Sequence, residues 1–316
     1  MRSHLEARAA AGDDHARLLL ALMVRPDDVR FDGDPEAWAK ARAEALREVA
    51  AALPDDPLVA WLEAQACGPG MGCDRLSALE RLAALDPGNA AVWWALADEA
   101  RRWKDPAAVD HFLALAAASE RVSMPGGTLG PVYADVLGGM VAPPLDPALR
   151  AQAVSELGLS GLPADIDVVL LYGAVYAGLM EAVFSPNLVS VSQLCGAPAS
   201  PDRRASCRAN MELLASGDSL LMQRMGLTML VRATEGSPRA AVWRERLRQH
   251  YWTQELALRQ GWFNDPRFVI LRAYDGEIAA LERYLRLNGF SDPPDDWLPR
   301  DPGQRALVTG NAEAAG

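Results

Sequence analysis

The chain has 316 residues, of which half are apolar and 23% are charged, and its formal net charge is −11 at pH 7. This composition is ordinary for a globular protein, and the length allows one large core, two domains or an elongated array. The acidic balance argues against a nucleic-acid binder, which needs a basic face to neutralise phosphates, and equally against docking on anionic lipid.

No apolar run is long enough to predict a membrane span. The longest runs, at 18–24 and 168–180, fall short of the roughly 18 to 20 residues that a transmembrane helix needs. The first residues do not read as a signal peptide either, since Asp13 and Asp14 directly precede the short apolar run. Two alternatives follow from this: either the chain is cytoplasmic, or the true start of the protein lies upstream.

Helical periodicity runs through most of the chain. Apolar residues recur three and four positions apart, and no stretch alternates apolar and polar residues as a β-strand would, so we predict an all-α fold. The predicted helices cover 3–25 with a break at Gly12, 35–53, 57–66, 73–85, 89–103, 105–118, 128–141, 147–158, 165–184, 187–195, 201–216, 219–234, 237–261 and 266–288. Residues 291–316 have the Pro, Asp and Gly content of a tail without a core, whose first part Trp297 would pin to the body.

Two stretches in equivalent places indicate a repeat. Pro57–Trp61 and Asn89–Trp93 each follow a turn and open an apolar helical pattern, and their tryptophans lie 32 positions apart, within the range of stacked repeats. The second unit carries Trp93, Leu96, Ala97 and Ala100 on its first helix and Val109, Leu113 and Ala116 on its second, after a closing Pro87. The segment 53–119 thereby resembles the tetratricopeptide family. It departs from that pattern at Ala100, where the family favours Tyr, and at Arg121, where the next closing Pro belongs.

The resemblance implies an array of helical hairpins, an α-α superhelix, that acts as a scaffold or adaptor without catalysis. We divide the chain into a repeat region 1–122 with units at about 57–87 and 88–121, an irregular helical region 123–290 continuing the array, and the tail 291–316. Stacked hairpins form a concave groove, so the predicted function is binding of a protein or peptide partner there. Four residues on the helix face left over after packing are expected to line it: Glu63, Trp94, Asp98 and Arg102.

The four cysteines form two close pairs in the sequence. Cys67 and Cys73 bracket one Gly/Pro-rich loop, Cys195 and Cys207 bracket another, and helix is predicted on either side of each. This arrangement favours two disulfides that tie adjacent helices together, with free buried thiols and a metal site as the alternatives. Two disulfides would place the chain in an oxidising compartment, a bacterial periplasm, and free thiols would place it in the cytoplasm.

Motifs for catalysis are weak. The four histidines are scattered, no metal-ligand pattern occurs, and no cofactor motif is present, so we predict neither a metal nor a cofactor. Residues 217–220 spell GDSL, the block that names a family of esterases, but Gly217 as a helix end and Asp218 as a cap account for the letters.

Two other functions remain open. One is an α/α enzyme that acts on a carbohydrate-like substrate through scattered carboxylates, which a deep pocket with two facing carboxylates would favour. The other is an acidic immunity or inhibitor protein that covers a basic target.

Overall fold

The structure confirms the all-α class. It is a computed structural model that describes residues 1–23, 35–68, 70–138, 140, 144, 146–156, 188–196, 200–290 and 292–310. No β-strand occurs within these ranges, apart from an isolated bridge between Asn89 and Arg121. The predicted apolar helix over 165–184 lies outside the described residues.

The described helices follow the predicted order closely. They are α1 (Arg2–Ala10), α2 (Asp14–Leu22), α3 (Pro35–Ala52), α4 (Pro57–Ala66), α5 (Arg75–Leu85), α6 (Ala90–Arg102), α7 (Pro106–Ala117), α8 (Pro125–Leu137), α9 (Pro147–Glu156), α10 (Leu188–Cys195), α11 (Pro201–Ala215), α12 (Leu220–Ala233), α13 (Arg239–Arg259), α14 (Pro266–Asp275), α15 (Glu277–Leu287) and α16 (Pro302–Thr309). A short 3-10 turn covers Trp262–Asn264.

Capping side chains set the starts of several helices. Asp56, Asp105 and Asp301 each accept hydrogen bonds from backbone N–H groups of the first turn and are each followed by a proline at the first helical position. Asn89 caps α6 in the same way. These caps satisfy donors that a helix cannot pair internally, and proline has no N–H to lose there.

The contacts divide the chain into two compact units. Unit 1 comprises Met1–Pro87 and Met124–Ser185, and unit 2 comprises Gly88–Ser123 and Pro186–Gly316. In unit 1, α4 packs against α3, α5 and α8 and buries nearly all of its side chains, from Leu58 to Ala64. The predicted boundary at 122/123 differs from this division, and the predicted units 57–87 and 88–121 belong to different compact units.

Unit 2 contains the hairpin of α6 and α7, followed by the helices from α10 onward. In it α7 packs on α11, α11 on α12, and α12 on α13. The backbones of α11 and α12 approach closely at Gly226, where a Cβ atom would lie 2.3 Å from the backbone nitrogen of Ala215. Further along, Trp262, Phe268 and Tyr284 form an aromatic core between the 3-10 turn, α14 and α15.

The C-terminal part differs from the prediction in two places. The single helix expected over 266–288 is two helices, because Gly276 between them takes a positive φ of 83° that ends the first. The expected tail contains α16. Its first part is pinned as predicted, since the ring of Trp297 meets that of Trp252 edge-on with centroids 5.3 Å apart.

Candidate functional site

Trp94 lies in the core of unit 2, contrary to the prediction that it faces a groove. Its side chain is 1% exposed, and its indole Nε1 donates a hydrogen bond to Oδ1 of Asn210 at 2.7 Å. Trp93, predicted to pack between repeats, is half-buried and stacks on Phe112 with centroids 6.4 Å apart. Successive residues of a helix point about 100° apart, so the inward face of α6 is turned by one residue from the prediction.

Asp98 and Arg102 are close together but belong to an ion network within α6. Asp98 is 1% exposed. Its carboxylate forms ion pairs with the guanidinium groups of Arg101, at an N–O distance of 2.7 Å, and of Arg102, at 2.9 Å. Arg102 also lies 3.2 Å from Glu99. Two guanidinium groups therefore compensate the burial of Asp98. Of the two predicted groove residues Asp98 and Arg102, Arg102 is the exposed one.

Glu63 belongs to unit 1. It is almost completely buried and forms an ion pair with Arg81 of α5. Burial of Glu63, Trp94 and Asp98 leaves these side chains little surface for a partner. A role for the exposed Arg102 in partner binding stays a prediction.

The cysteine pairing agrees with the sequence prediction. Cys67 and Cys73 lie at disulfide-bonding distance with Cα atoms 5.5 Å apart, and Cys195 and Cys207 with Cα atoms 5.4 Å apart. The second pair joins α10 to α11 within unit 2. Two such pairs are consistent with an oxidising location outside the cytoplasm.

The GDSL block is a helix junction. The hydroxyl of Ser219 accepts a hydrogen bond from the backbone N–H of Met222 and so caps α12. A Cβ on Gly217 would lie 2.9 Å from the Cβ of Met222, which explains the glycine by packing. The serine is engaged as a cap, so these letters do not indicate an esterase nucleophile.

A cleft in unit 2, not anticipated from the sequence, is the candidate site. It has a volume of about 590 Å³ and lies between α12, α13 and α16. We call it the C-terminal cleft. It is lined by Val231, Arg232, Glu235, Arg244, Asp301, Gly303, Gln304, Ala306, Leu307 and Gly310. Its volume is in the range of small-molecule and peptide side-chain sites.

The cleft contains two cations and two anions: Arg232, Arg244, Glu235 and Asp301. None of these four side chains forms an ion pair with any other residue that the structure describes. Asp301 is the cap of α16 and accepts a hydrogen bond from the backbone of Gln304 at 2.8 Å. Unpaired charges of both signs in one cleft are available to a ligand.

Arg244 is the most constrained of the four. Its Nε atom is buried and has no hydrogen-bond partner, and its guanidinium lies directly against Gly310. Burying a donor without an acceptor costs free energy, so such an atom in a native structure requires an explanation.

Tyr251 of α13 lies close to the charges of this region. Burial raises the pKa of its hydroxyl, and a hydrogen bond with Thr228 partly opposes that rise. Arg232 and Asp301 of the cleft also act electrostatically on this hydroxyl. The side chain of Tyr251 is itself buried.

The described ranges contain neither a metal site nor a membrane span. No cluster of His, Cys, Asp and Glu side chains there is arranged to hold a metal ion. No helix in the same ranges is long and apolar enough to cross a membrane.

Comparison with known proteins gives no relative. No family model matches the chain. Neither the curated proteins nor the solved structures contain a significant match.

The sequence held little signal for the C-terminal cleft. Arg232 and Arg244 sit among many other helical arginines, and the residues after 291 were expected to be a tail. Asp301-Pro302 was the available clue, because the same pair starts other helices in this chain as Asp56-Pro57 and Asp105-Pro106.

Proposed function

We propose that this chain is a non-catalytic helical protein that binds a peptide segment of a protein partner in the C-terminal cleft. Four charged side chains, two of each sign, line this one cleft and form no ion pair with any residue that the structure describes, and this observation carries the proposal. Charged groups that are not paired with one another can each form a charge-assisted hydrogen bond with a ligand.

The lining suits a peptide better than a small polar metabolite. Val231, Ala306 and Leu307 supply apolar walls, and the charged groups stand among them. A peptide with an apolar side chain next to charged groups matches this pattern, and the volume of about 590 Å³ holds a few residues.

The exposure of the two carboxylates in the cleft favours binding over carbohydrate hydrolysis. Such hydrolases keep one carboxyl in an apolar, buried environment so that it serves as a general acid. Glu235 and Asp301 are both exposed, and Asp301 is engaged as a helix cap. The cleft therefore has no carboxyl suited to the acid role.

The periplasm is the compartment we propose. Two cysteine pairs at disulfide distance support it, since cytosolic thiols are kept reduced. The scaffold role implied by the tetratricopeptide resemblance is part of the same proposal, with the C-terminal cleft and not the α6 face as the contact surface.

A peptide library tests the function directly. The purified, oxidised chain is panned against random peptides displayed on phage, and the enriched peptides are synthesised and titrated by calorimetry. We expect them to carry an acidic group beside an apolar residue. Substitution Ala306→Trp fills the cleft and should abolish binding, whereas Ala279→Trp, at an exposed site on α15, should not. Peptides that bind both variants equally, or no enrichment at all, would refute the proposal.

A further inference from the structure

From the geometry around Arg244, we infer that the C-terminal cleft recognises a carboxylate of its ligand, with Arg244 as the anchor and Gly310 as the residue that positions it. This inference rests on the proposed function, because it names the chemistry that the same cleft selects.

The guanidinium of Arg244 packs closely against Gly310. A Cβ atom built on Gly310 would lie 2.6 Å from Cζ of Arg244 and 2.7 and 2.8 Å from its two terminal nitrogens. Real Cβ atoms do not show such distances, so the guanidinium occupies the space beside Gly310 that a Cβ atom would fill, and any other residue at 310 would displace it. Only glycine allows this contact, and its φ of 76° is also one that other residues rarely adopt.

Two nitrogen atoms of this guanidinium remain available to a ligand. Nε of Arg244 is buried, so a ligand in the cleft reaches the guanidinium through its two terminal nitrogens. These two donors point in parallel and match the two oxygens of a carboxylate in a bidentate pair. A guanidinium held in one orientation loses less entropy on binding than a free one.

The carboxylates that line the cleft do not occupy Arg244. Glu235 and Asp301 line the same cleft without pairing with Arg244. The carboxylate of Asp301 is held by the first turn of α16. The anchoring position is therefore left to a carboxylate that the ligand brings, either a peptide C-terminus or an acidic side chain.

Two small probes test the inference without knowledge of the partner. N-acetyl-leucine carries a carboxylate and an apolar chain, and N-acetyl-leucinamide is its neutral counterpart. Each is titrated into arginine-labelled protein while the Nε–H signal of Arg244 is followed by NMR, assigned through its loss in Arg244→Gln. We expect the acid to shift this signal and the amide to leave it unchanged. An equal response to both probes would overturn the inference.

Glycine variants separate positioning from folding. Gly310→Ala should move the Arg244 signal in the free protein and weaken binding of N-acetyl-leucine by about tenfold, the scale of a charge-assisted hydrogen-bond pair. Gly289→Ala is the matched control, because Gly289 also has a positive φ, 69°, but open space around it. Equal affinity in the two glycine variants would remove Gly310 from the site.

The library peptides show whether the carboxylate is a peptide C-terminus or an acidic side chain. They also separate carboxylate recognition from peptide binding in the cleft. Peptides with a free C-terminus, with a C-terminal amide, and with Glu→Gln replacements are compared on wild type and Arg244→Gln. Loss of binding on amidation identifies the terminus, and loss on Glu→Gln identifies a side chain. Peptides that bind in the cleft regardless of all three changes would overturn the carboxylate inference and leave the proposed function standing.

Discussion

The indole Nε1 of Trp94 and the side-chain oxygen of Asn210 form a buried hydrogen bond of 2.7 Å between residues 116 positions apart in the chain. The amide nitrogen of Asn210 donates to the backbone oxygen of Leu113 at 3.0 Å and to that of Ser206 at 2.9 Å. One asparagine thus joins α6, α7 and α11 with all of its polar atoms paired. A fully satisfied polar group in a core specifies one arrangement of the helices around it.

Replacing Asn210 with leucine should destabilise unit 2. Asn210→Leu leaves the indole N–H of Trp94 buried without an acceptor, at a cost of roughly 2–4 kcal/mol for the lost bonds and the unpaired donor. Urea unfolding followed by circular dichroism measures the change. Asn288→Ala, at an exposed helix end, serves as the control and should change little. Equal midpoints for the two variants would show that the buried amide is not a stabilising link.

Helix positions were predictable from the sequence, and side-chain directions were not. Asp-Pro pairs such as Asp56-Pro57 and Asp105-Pro106 fix helix starts through local hydrogen bonds, so they predict starts without tertiary information. The choice between Trp93 and Trp94 as the inward residue depends on Asn210, far away in the chain. Periodicity alone left both tryptophans as acceptable core residues.

The candidate site was missed for a similar reason. Arg244 becomes special only because Gly310 lies against it, and the two are joined by packing of α16 beside α13. A Pro- and Asp-rich stretch has the composition of a tail, yet Trp297 and Pro299 secure it locally. Composition reports an average over a segment, whereas one aromatic contact can order it.

Acid should destabilise the protein through His250. This residue is 6% exposed, and burial, aided by the charge of Arg224, lowers its pKa from 6.5 to about 4. Below about pH 6.5 the unfolded chain takes up a proton that the folded chain refuses. The free energy of unfolding should therefore fall between about pH 6.5 and pH 4, by roughly 3 kcal/mol for a shift of this size.

The measurement is urea unfolding at intervals across that pH window. His250→Gln should flatten the decline, whereas His111→Gln, at an exposed position, should keep it. The carboxylate of Glu245, whose hydrogen bond from Arg248 lowers its pKa below the ordinary 4.5, adds to the decline only at the acid end of this window, below about pH 4.5. The same slope in both histidine variants would mean that His250 is not the responsible group.

The cysteine pairs should be oxidised in the native cell. Protein is trapped in acid at lysis, alkylated with and without reductant, and its intact mass is measured. We expect all four thiols to react only after reduction. Free reaction without reductant would place the chain in the cytoplasm and contradict the proposed periplasmic location.

Loss of either bridge should also cost stability. Replacing Cys67 or Cys195 with serine opens a loop with a sequence separation of 6 or 12 residues, and the chain-entropy model gives roughly 2–3 kcal/mol for such loops. The longer loop should give the larger loss. Serine variants as stable as wild type under oxidising conditions would show that the bridges do not constrain the unfolded chain.

Removal of α16 should separate binding from stability. No residue of α16 is buried, and the hydrogen bonds of Gln304 and Arg305 stay within 299–305. A chain that ends at Asp301 should therefore unfold within about 1 kcal/mol of the full chain, as surface changes do, but bind no library peptide. A chain that ends at 291 should lose more stability. It also lacks the ring contact between Trp297 and Trp252, and the hydrogen bonds that Arg248 donates to the carbonyl oxygens of Pro294 and Trp297. Urea unfolding and calorimetry of both truncated chains give the two readouts, and full peptide affinity after loss of α16 would exclude this helix from the site.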